Sequence, residues 1–347
     1  MEFDETEETV WLTRLMNGFV ERSPLGESPT ILLTVGIVPY VLTAAFLALI
    51  GGDVPSTFLV AQLLASTLLA IAPVLVWNYE MAVFPTFVER AAEVTPHDDN
   101  RELLAIATRY KRFFASEIRP ISVVWTGLVL LAVFANYEYF ESLGVTGYAD
   151  PAFLVYTLFA VWLGTVTAIG VQGAITTNLC LREIGELDFT IDPLHPDGLG
   201  GLSTVGYFAI RTTTMISVGA LGLPLAFDIA RIGGFSEIIY GLVVVYVGMI
   251  VGSFVFPTVY INRRANEIKR DHLMEKREEI HELHTRLLDS DDPEAMSTMQ
   301  IKLDELRNEY EIYDRVSLYP MSLSIASRLA SSVLLPLAFL LFETYLA

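Results

Sequence analysis

The sequence predicts an all-α, polytopic membrane protein with seven transmembrane helices, a cytoplasmic N-terminus, an outer C-terminus and a cytoplasmic helical hairpin. Mean hydropathy over the chain is +0.48. Seven apolar runs are each long enough to cross a hydrocarbon layer of ~30 Å. The 22 Lys and Arg residues are distributed one-sidedly, because only Arg231 lies in a gap assigned to the outer side. This distribution is the positive-inside pattern.

The predicted spans are separated by polar or charged sequence. In order they cover 30–51, 57–84, 119–140, 151–178, 206–230, 237–261 and 323–346. Residues 1–29 are predicted to form an N-terminal interfacial helix, and 30–262 form a region of six transmembrane helices. The inner loops of that region, 85–118 and 179–205, are long, whereas the outer turns are short. We therefore expect most of the protein outside the bilayer to project into the cytoplasm.

Two amphipathic helices are predicted on the inner side. Within residues 5–20 the apolar side chains cluster on one face, and Trp11 suits the headgroup zone. Near 99–117 apolar residues recur at helical spacing, with basic side chains close to the membrane surface. Those bases indicate either a lipid-headgroup site or topogenic charge with ordinary snorkelling. Pro39 and Pro73 interrupt the first two spans.

Residues 263–319 are predicted to form the cytoplasmic helical hairpin. Its first helix covers 263–289, and Ser290-Asp291-Asp292-Pro293 then supplies a turn, a helix cap and a proline suited to a first helical turn. Apolar residues of the second helix are spaced three or four apart, as in a coiled coil. They are Met296, Met299, Leu303, Leu306, Tyr310 and Tyr313. Such a seam suits an antiparallel hairpin, self-association or a cytoplasmic partner.

Residues 320–347 are predicted to form the seventh transmembrane helix. Ser327 and Ser331 lie on one face, and Leu335 and Phe339 continue that face in further steps of four residues. A polar stripe that passes into an apolar stripe is typical of a water-filled vestibule closed by a hydrophobic gate. These four residues are therefore candidate pore-lining positions. Interhelical serine packing explains the same pattern, so both interpretations stay open.

The charge balance indicates the environment rather than a ligand. Net charge is −19, and only four of the basic residues are lysines. Abundant acids with arginine favoured over lysine predict a cytoplasm of very high salt, as in a halophilic archaeon, where the Debye length is ~3 Å. Cation attraction is the functional alternative. The absence of a basic patch argues against nucleic-acid binding, and the single cysteine, Cys180, excludes an internal disulfide.

The most distinctive string of the chain is His195-Pro196-Asp197-Gly198-Leu199-Gly200-Gly201, in the second inner loop. Its glycines permit backbone angles that other residues avoid. One interpretation is a cation-friendly polar site, and the other is a tight turn that leads into the fifth span. The candidate residues of this motif are His195, Asp197, Gly198, Gly200 and Gly201.

Four polar residues in or near the membrane are functional candidates, because ionisable groups in lipid are costly. Arg211 lies about one turn into the fifth span, where it is either functional or snorkels to the interface. Glu80, near the inner end of the second span, is its candidate partner. Gln172 lies in the inner half of the fourth span, and Asp228 flanks the outer turn that follows the fifth.

Enzyme signatures are missing from the sequence. It contains no His-Glu-x-x-His, no Gly-x-Ser-x-Gly and no phosphate-binding loop. We therefore expect a protein that is not an enzyme, with no catalytic residue, no cofactor and no metal site. Paired intramembrane carboxylates suited to a proton relay are also missing.

The chain as a whole resembles the insect odorant and gustatory receptor superfamily. The resemblance lies in the inner N-terminus, the seven spans, the bare outer turns, the long inner helical extension after span six and the short last span. Those proteins are ligand-gated cation channels, mostly tetramers, whose final span lines a central pore and whose inner helices hold the subunits together. Their signature, Thr-Tyr followed by apolar residues and Gln, is not met, because no Gln follows Thr344-Tyr345.

The leading hypothesis is therefore a homo-oligomeric, cation-conducting, channel-like protein of the cell membrane, with its pore lined by the last helix. The resemblance implies a tetramer. A single-subunit secondary transporter with its polar site near Arg211, Glu80 and Gln172 is the first alternative. A membrane sensor or scaffold that acts through the cytoplasmic hairpin is the second. The expected partners are further copies of the chain, the lipid bilayer and a cytoplasmic protein at the hairpin.

Overall fold

The computed structural model describes residues 9–50, 53–96, 99–116, 120–187, 201, 203–232, 236–289 and 292–315. Every regular element in these residues is helical. A π-turn, Tyr79–Val83, joins α4 to α5, and a 3-10 turn, Val218–Gly222, joins α10 to α11. The described α-helices are α1 (Trp11–Val20), α2 (Glu27–Thr34), α3 (Val38–Leu49), α4 (Ser56–Asn78), α5 (Phe84–Val94), α6 (Asn100–Ala115), α7 (Pro120–Ala135), α8 (Tyr137–Ser142), α9 (Pro151–Ile184), α10 (Ser203–Ser217), α11 (Leu223–Ile232), α12 (Ser236–Leu288) and α13 (Pro293–Arg315).

The described residues contain five helical segments that are long and apolar enough to cross a membrane. They are Glu27–Leu49, Ser56–Glu93, Asn100–Ala135, Pro151–Ile184 and Arg211–Ala230. A further apolar helix, Glu237–Ser253, is shorter. These six segments overlap the first six predicted spans, and the seventh, 323–346, lies outside the described residues. The chain is thus an all-helical, multi-pass membrane protein, which satisfies its backbone hydrogen bonds inside each helix.

Prolines act differently in the first two spans. The first span consists of two helices, α2 and α3, and Pro39 stands in the first turn of α3, where its missing N–H leaves no bond unmade. Pro73 lies inside α4 without ending it. The π-turn at Tyr79–Val83 follows, and single π-turns inside α-helices are frequent at functional sites.

Helix α9 is the centre of the bundle, with contacts to α3, α6, α7, α10 and α12. Its 34 residues span about 50 Å. Asp150 caps its start, accepting hydrogen bonds from the Ala152 amide at 2.9 Å and from the Thr146 amide and hydroxyl at 2.9 and 2.8 Å. These bonds hold the pKa of Asp150 below its usual value. Gly164 lets α7 approach closely, since a Cβ there would lie 3.0 Å from Thr126.

Two apolar clusters occupy the two ends of the bundle. The α1-side cluster joins α1, the end of α4, α5, α6, the end of α9, and α10, and includes Met16, Phe87 and the fully buried Cys180. Ala265 of α12 belongs to the same cluster and is also fully buried. The α8-side cluster joins α3, the start of α4, α7, α8 and α11, with Phe153 at its centre. Helix α1 and the exit of α12 therefore lie at the same end of the molecule.

Helix α12 is much longer than the predicted sixth span. It continues without a break for 53 residues from Ser236 to Leu288. The predicted boundary at 262–263, between the membrane region and the hairpin, therefore lies inside one helix. Its far half packs against α13. The two helices run antiparallel, because Lys269 pairs with Asp314 whereas Lys276 pairs with Glu309.

Candidate functional site

Glu80 lies in the π-turn and binds the first helix of the chain. Its Oε1 accepts a hydrogen bond of 3.0 Å from the backbone N–H of Val10, and its Oε2 accepts from the hydroxyl of Thr13. Val10 immediately precedes α1, so a carboxylate from another helix caps this N-terminus. Trp77 adds a second link, because its indole N–H donates to Asn17 Oδ1 at 2.7 Å. We call this set of contacts the α1 clamp.

Gln172, on α9, hydrogen-bonds to the C-terminal end of α6. Its Nε2 donates to the backbone carbonyls of Phe113 and Phe114 at 3.1 and 3.0 Å, in the last turn of α6. Carbonyls in the last turn of a helix point beyond the final amides of that helix, and Gln172 supplies a donor to them. Its Oε1 accepts from the Ser122 hydroxyl at 3.2 Å. The side chain therefore joins α6 and α7 to α9.

Asp228 and Arg211 occupy different surroundings. Asp228, on α11, is buried and accepts a hydrogen bond from the hydroxyl of Tyr139 on α8. Arg211, on α10, is exposed. The structure thus does not gather the four polar candidates into one pocket. Glu80 bonds to the start of α1, Gln172 bonds to α6 and α7, and Asp228 bonds to α8.

The remaining sequence-predicted residues fall largely outside the described part of the chain. This applies to the four candidate pore-lining residues Ser327, Ser331, Leu335 and Phe339. It also applies to the inner-loop motif, except for Gly201. Gly201 has a φ of 91°, a left-handed conformation that favours glycine. That value agrees with a turn at the end of the motif.

A cavity that the sequence did not predict lies in the middle of the bundle. It has a volume of about 240 Å³ and is bounded by α4, α6, α7, α9, α10, α11 and α12, together with the 3-10 turn. Its walls are almost entirely apolar. Small residues leave the space, and at Gly170 a Cβ would meet nothing within 4 Å. We call this space the bundle cavity.

Only a few polar groups line the bundle cavity. Tyr79, Trp125 and Tyr246 are among its lining residues, and each is hydrogen-bonded to a group of the protein. Thr212, on α10, also lines it and is 3% exposed. Among the described residues, the hydroxyl of Thr212 has no hydrogen-bond partner. The sequence signal was the Thr212-Thr213-Thr214 run, but no pattern in the sequence indicates which threonine faces a cavity.

The hairpin formed by α12 and α13 carries several ion pairs. Lys276 Nζ lies 3.3 Å from Glu309 across the hairpin and 3.6 Å from Glu279 on its own helix. Burial acts to lower the pKa of Lys276, but the two carboxylates outweigh it and raise that pKa above its usual value. Next to this pair, the rings of His272 and Tyr313 lie 4.3 Å apart between centroids.

Comparison of the chain with protein-family models, with curated proteins and with solved structures finds no match. Function therefore has to be inferred from the geometry of the chain. Three features are available for that inference: the α1 clamp, the bundle cavity and the hairpin. Helix α12 connects the last two, because it lines the cavity with its first half and forms the hairpin with its second.

Proposed function

We propose that this membrane protein is a sensor or scaffold in which α12 couples the state of the transmembrane bundle to the cytoplasmic hairpin. The observation that carries the proposal is the continuity of α12 over 53 residues. A helix of that length measures about 80 Å, whereas the hydrocarbon core is about 30 Å thick. About 50 Å of the same rod therefore extends beyond the membrane.

The membrane half of α12 is hydrogen-bonded to the segment that contains the 3-10 turn. The Tyr246 hydroxyl donates to the Ile216 carbonyl at 2.8 Å, next to the 3-10 turn between α10 and α11. A Cβ on Gly219 of that turn would come within 2.9 Å of the Tyr246 hydroxyl. A movement of the turn would therefore press on the Tyr246 side chain and, through that side chain, on α12.

The middle of α12 is held by the α1-side cluster. Ala265 is fully buried there, and Tyr260 and Ile268 pack against the same cluster. The hairpin contacts begin immediately afterwards, with Lys269 Nζ donating to the Asp314 carbonyl at 2.7 Å. A rotation or shift of α12 would thus reach α13 without crossing a flexible linker.

The orientation belongs to the same proposal. We propose seven spans in the cell membrane, with the N-terminus and the hairpin in the cytoplasm and the C-terminus outside. The shared position of α1 and Ala265 in one cluster supports placing both on the same side. The hairpin is densely charged, which requires water around it.

Amide hydrogen exchange in the hairpin tests the coupling. Gly219→Ala places a methyl group against the Tyr246 ring of α12, and we expect amide exchange in α13 to change by about twofold or more. Gly241→Ala is the matched control, because a Cβ at Gly241 meets nothing within 4 Å. The exposed Asp271 lies at the base of the hairpin, next to the contacts that Lys269 and His272 make with α13. Asp271→Pro should abolish the response by breaking α12, whereas Asp271→Ala should preserve it.

The outcome that contradicts the proposal is specific. If Gly219→Ala alters exchange around Tyr246 but leaves α13 as it is in the wild type, α12 does not transmit the change. A response in α13 that persists in Asp271→Pro would also contradict transmission through the helix.

A homo-oligomeric cation channel is the second candidate. The exposed apolar side chains of Leu288 and Ile301 on the hairpin favour contact with another copy, which such a channel requires. Cation flux through purified protein in liposomes, together with a central symmetry axis in particle images, would support it. Protein that stays monomeric in nanodiscs would count against it.

A further inference from the structure

One polar group in the wall of the bundle cavity differs from the others in its hydrogen bonding. Around it, the polar groups of Tyr79, Trp125 and Tyr246 are hydrogen-bonded at 2.7 Å to Thr177, at 2.9 Å to Thr167 and at 2.8 Å to the Ile216 carbonyl, respectively. Thr212 differs, because its hydroxyl is buried and has no partner in the described part of the chain. Buried polar groups are nearly always paired, so an unpaired one at a cavity wall points to an occupant.

A water molecule fits this site poorly. A buried water usually makes about three hydrogen bonds and needs at least two polar partners. Among the described lining residues, Thr212 is the one whose hydroxyl makes no hydrogen bond at all, whereas the hydrogens of Trp125 and Tyr246 are already donated and the Tyr79 hydroxyl is bonded to Thr177. The rest of the wall is apolar. An apolar body with one polar group would match the wall better than water does.

The size and charge of the bundle cavity narrow the ligand class. The cavity measures about 240 Å³. Because a cavity of 150 Å³ accommodates benzene, this volume corresponds to a ligand of about ten heavy atoms. None of the lining residues described is charged, so the cavity offers no counterion to an ionic headgroup. Met215 and Met249 add flexible thioethers that adapt to irregular shapes.

We propose that the bundle cavity binds a small neutral amphiphile from the membrane, with about ten heavy atoms and a single hydroxyl or carbonyl group that hydrogen-bonds to Thr212. The apolar body packs between α9 and α12, and the polar group satisfies the Thr212 hydroxyl. The proposal is independent of coupling through α12, since a ligand can bind here whether or not the hairpin responds.

Photolabelling tests the site in the full chain in lipid nanodiscs. The probe is an octanol that carries a diazirine group, and labelled residues are identified by mass spectrometry. We expect saturable labelling at cavity residues such as Met215 and Tyr246, with excess 1-octanol competing. A diazirine alkane that lacks the hydroxyl should label the same residues with a half-saturating concentration about threefold to tenfold higher, because one hydrogen bond is lost.

Thr212→Val tests the hydrogen bond directly. The substitution keeps the shape of the side chain, so the protein should fold normally. The half-saturating concentration should rise about threefold to tenfold for the octanol probe and remain unchanged for the alkane probe. Equal labelling of wild type and Thr212→Val by the octanol probe would overturn the role of Thr212.

Two filling variants test the cavity itself. Gly170→Leu places a side chain in the open space, and Ala226→Leu fills it from α11, so either one should abolish saturable labelling. Gly127→Leu is the matched control, because Gly127 is exposed on α7 and a Cβ there meets nothing within 4 Å.

Three results would overturn the site. The first is labelling that does not saturate, as expected if another part of the chain fills the space. The second is labelling spread over lipid-facing residues such as Val123 and Leu131. The third is unchanged labelling in both filling variants. Saturable labelling at the cavity without any change in amide exchange in α13 would instead support the binding site and contradict coupling through α12.

Discussion

Glu80 explains how a carboxylate is accommodated inside a membrane-spanning segment. Both of its oxygens accept hydrogen bonds from the start of α1, and the positive charges of Arg14 and Lys111 act on it electrostatically. Buried polar groups in lipid are tolerated when they are hydrogen-bonded in this way. Glu80 therefore holds α1 on the bundle.

Removal of the Glu80 carboxylate should release α1. Glu80→Ala leaves the Val10 N–H and the Thr13 hydroxyl without acceptors, which should cost about 2 kcal/mol. Amide exchange over α1 should then accelerate about thirtyfold relative to the wild type. Glu80→Gln, which retains one acceptor oxygen, should give a smaller increase. If α1 is equally protected in wild type and Glu80→Ala, the clamp does not hold this helix.

At the residue scale, the sequence indicated which polar groups lie in the membrane but not what they bind. Glu80 was expected to pair with Arg211, whereas its hydrogen-bond donors are Val10 and Thr13, about seventy residues away in the chain. Partners at such a separation depend on how helices pack, which residue types and spacing do not specify. The orphan hydroxyl of Thr212 was invisible for the same reason.

The hairpin shows what periodicity can predict at the scale of an element. Leu303 and Leu306 are the buried side chains of α13, and both belong to the seam read from the sequence. Spacing alone identifies such a face, because residues three and four apart share one side of a helix. The start of the first hairpin helix was less predictable, since α12 continues through 262 although hydropathy changes there. A helix ends at caps and breakers, not at a change of polarity.

The ion pair between Lys276 and Glu309 should make the hairpin sensitive to alkali. Because the pKa of Lys276 is raised in the folded state, its stabilisation is complete below the ordinary value of 10.5 and disappears as pH rises through the higher folded value. Lys276→Gln should destabilise the hairpin by about 1 kcal/mol at neutral pH.

The measurement is the denaturant midpoint of energy transfer between dyes on α12 and α13. The difference in denaturant midpoint between wild type and Lys276→Gln should remain constant up to about pH 10.5 and should decrease towards zero above it. Glu309→Gln should show the same convergence, since it removes the same pair. A difference between the two midpoints that does not shrink as pH rises above 10.5 would show that the charge of Lys276 is not what stabilises the hairpin.

The architecture of the whole molecule makes a prediction about sidedness. A fluorescent protein fused to the N-terminus should fluoresce, because the cytoplasm permits its folding. Alkaline phosphatase should be active after the C-terminus or within the turn 143–149, and inactive within 289–292. These outcomes follow from the one-sided basic residues and the charged hairpin. Phosphatase activity at 289–292, or inactivity at the C-terminus, would refute the proposed orientation.

At this scale the sequence predicted the helical membrane class well, because long apolar runs have few alternatives in lipid. Six of its seven spans overlap apolar helices of the described chain. The bundle cavity could not be predicted, since an empty volume results from the mismatch of many side chains. Gly170 and its small neighbours were visible as residues, but the space they leave depends on seven helices at once.

The burial of Cys180 has a practical consequence. The only sulfur nucleophile of the chain has no exposed surface and lies in the α1-side cluster. An alkylating reagent reaches Cys180 only when that region opens. The rate of alkylation of the native protein therefore reports local unfolding of this cluster. Because Cys180 is buried, the native surface presents no thiol to such a reagent. A single cysteine introduced on the surface would therefore be the only thiol that is alkylated in the native protein.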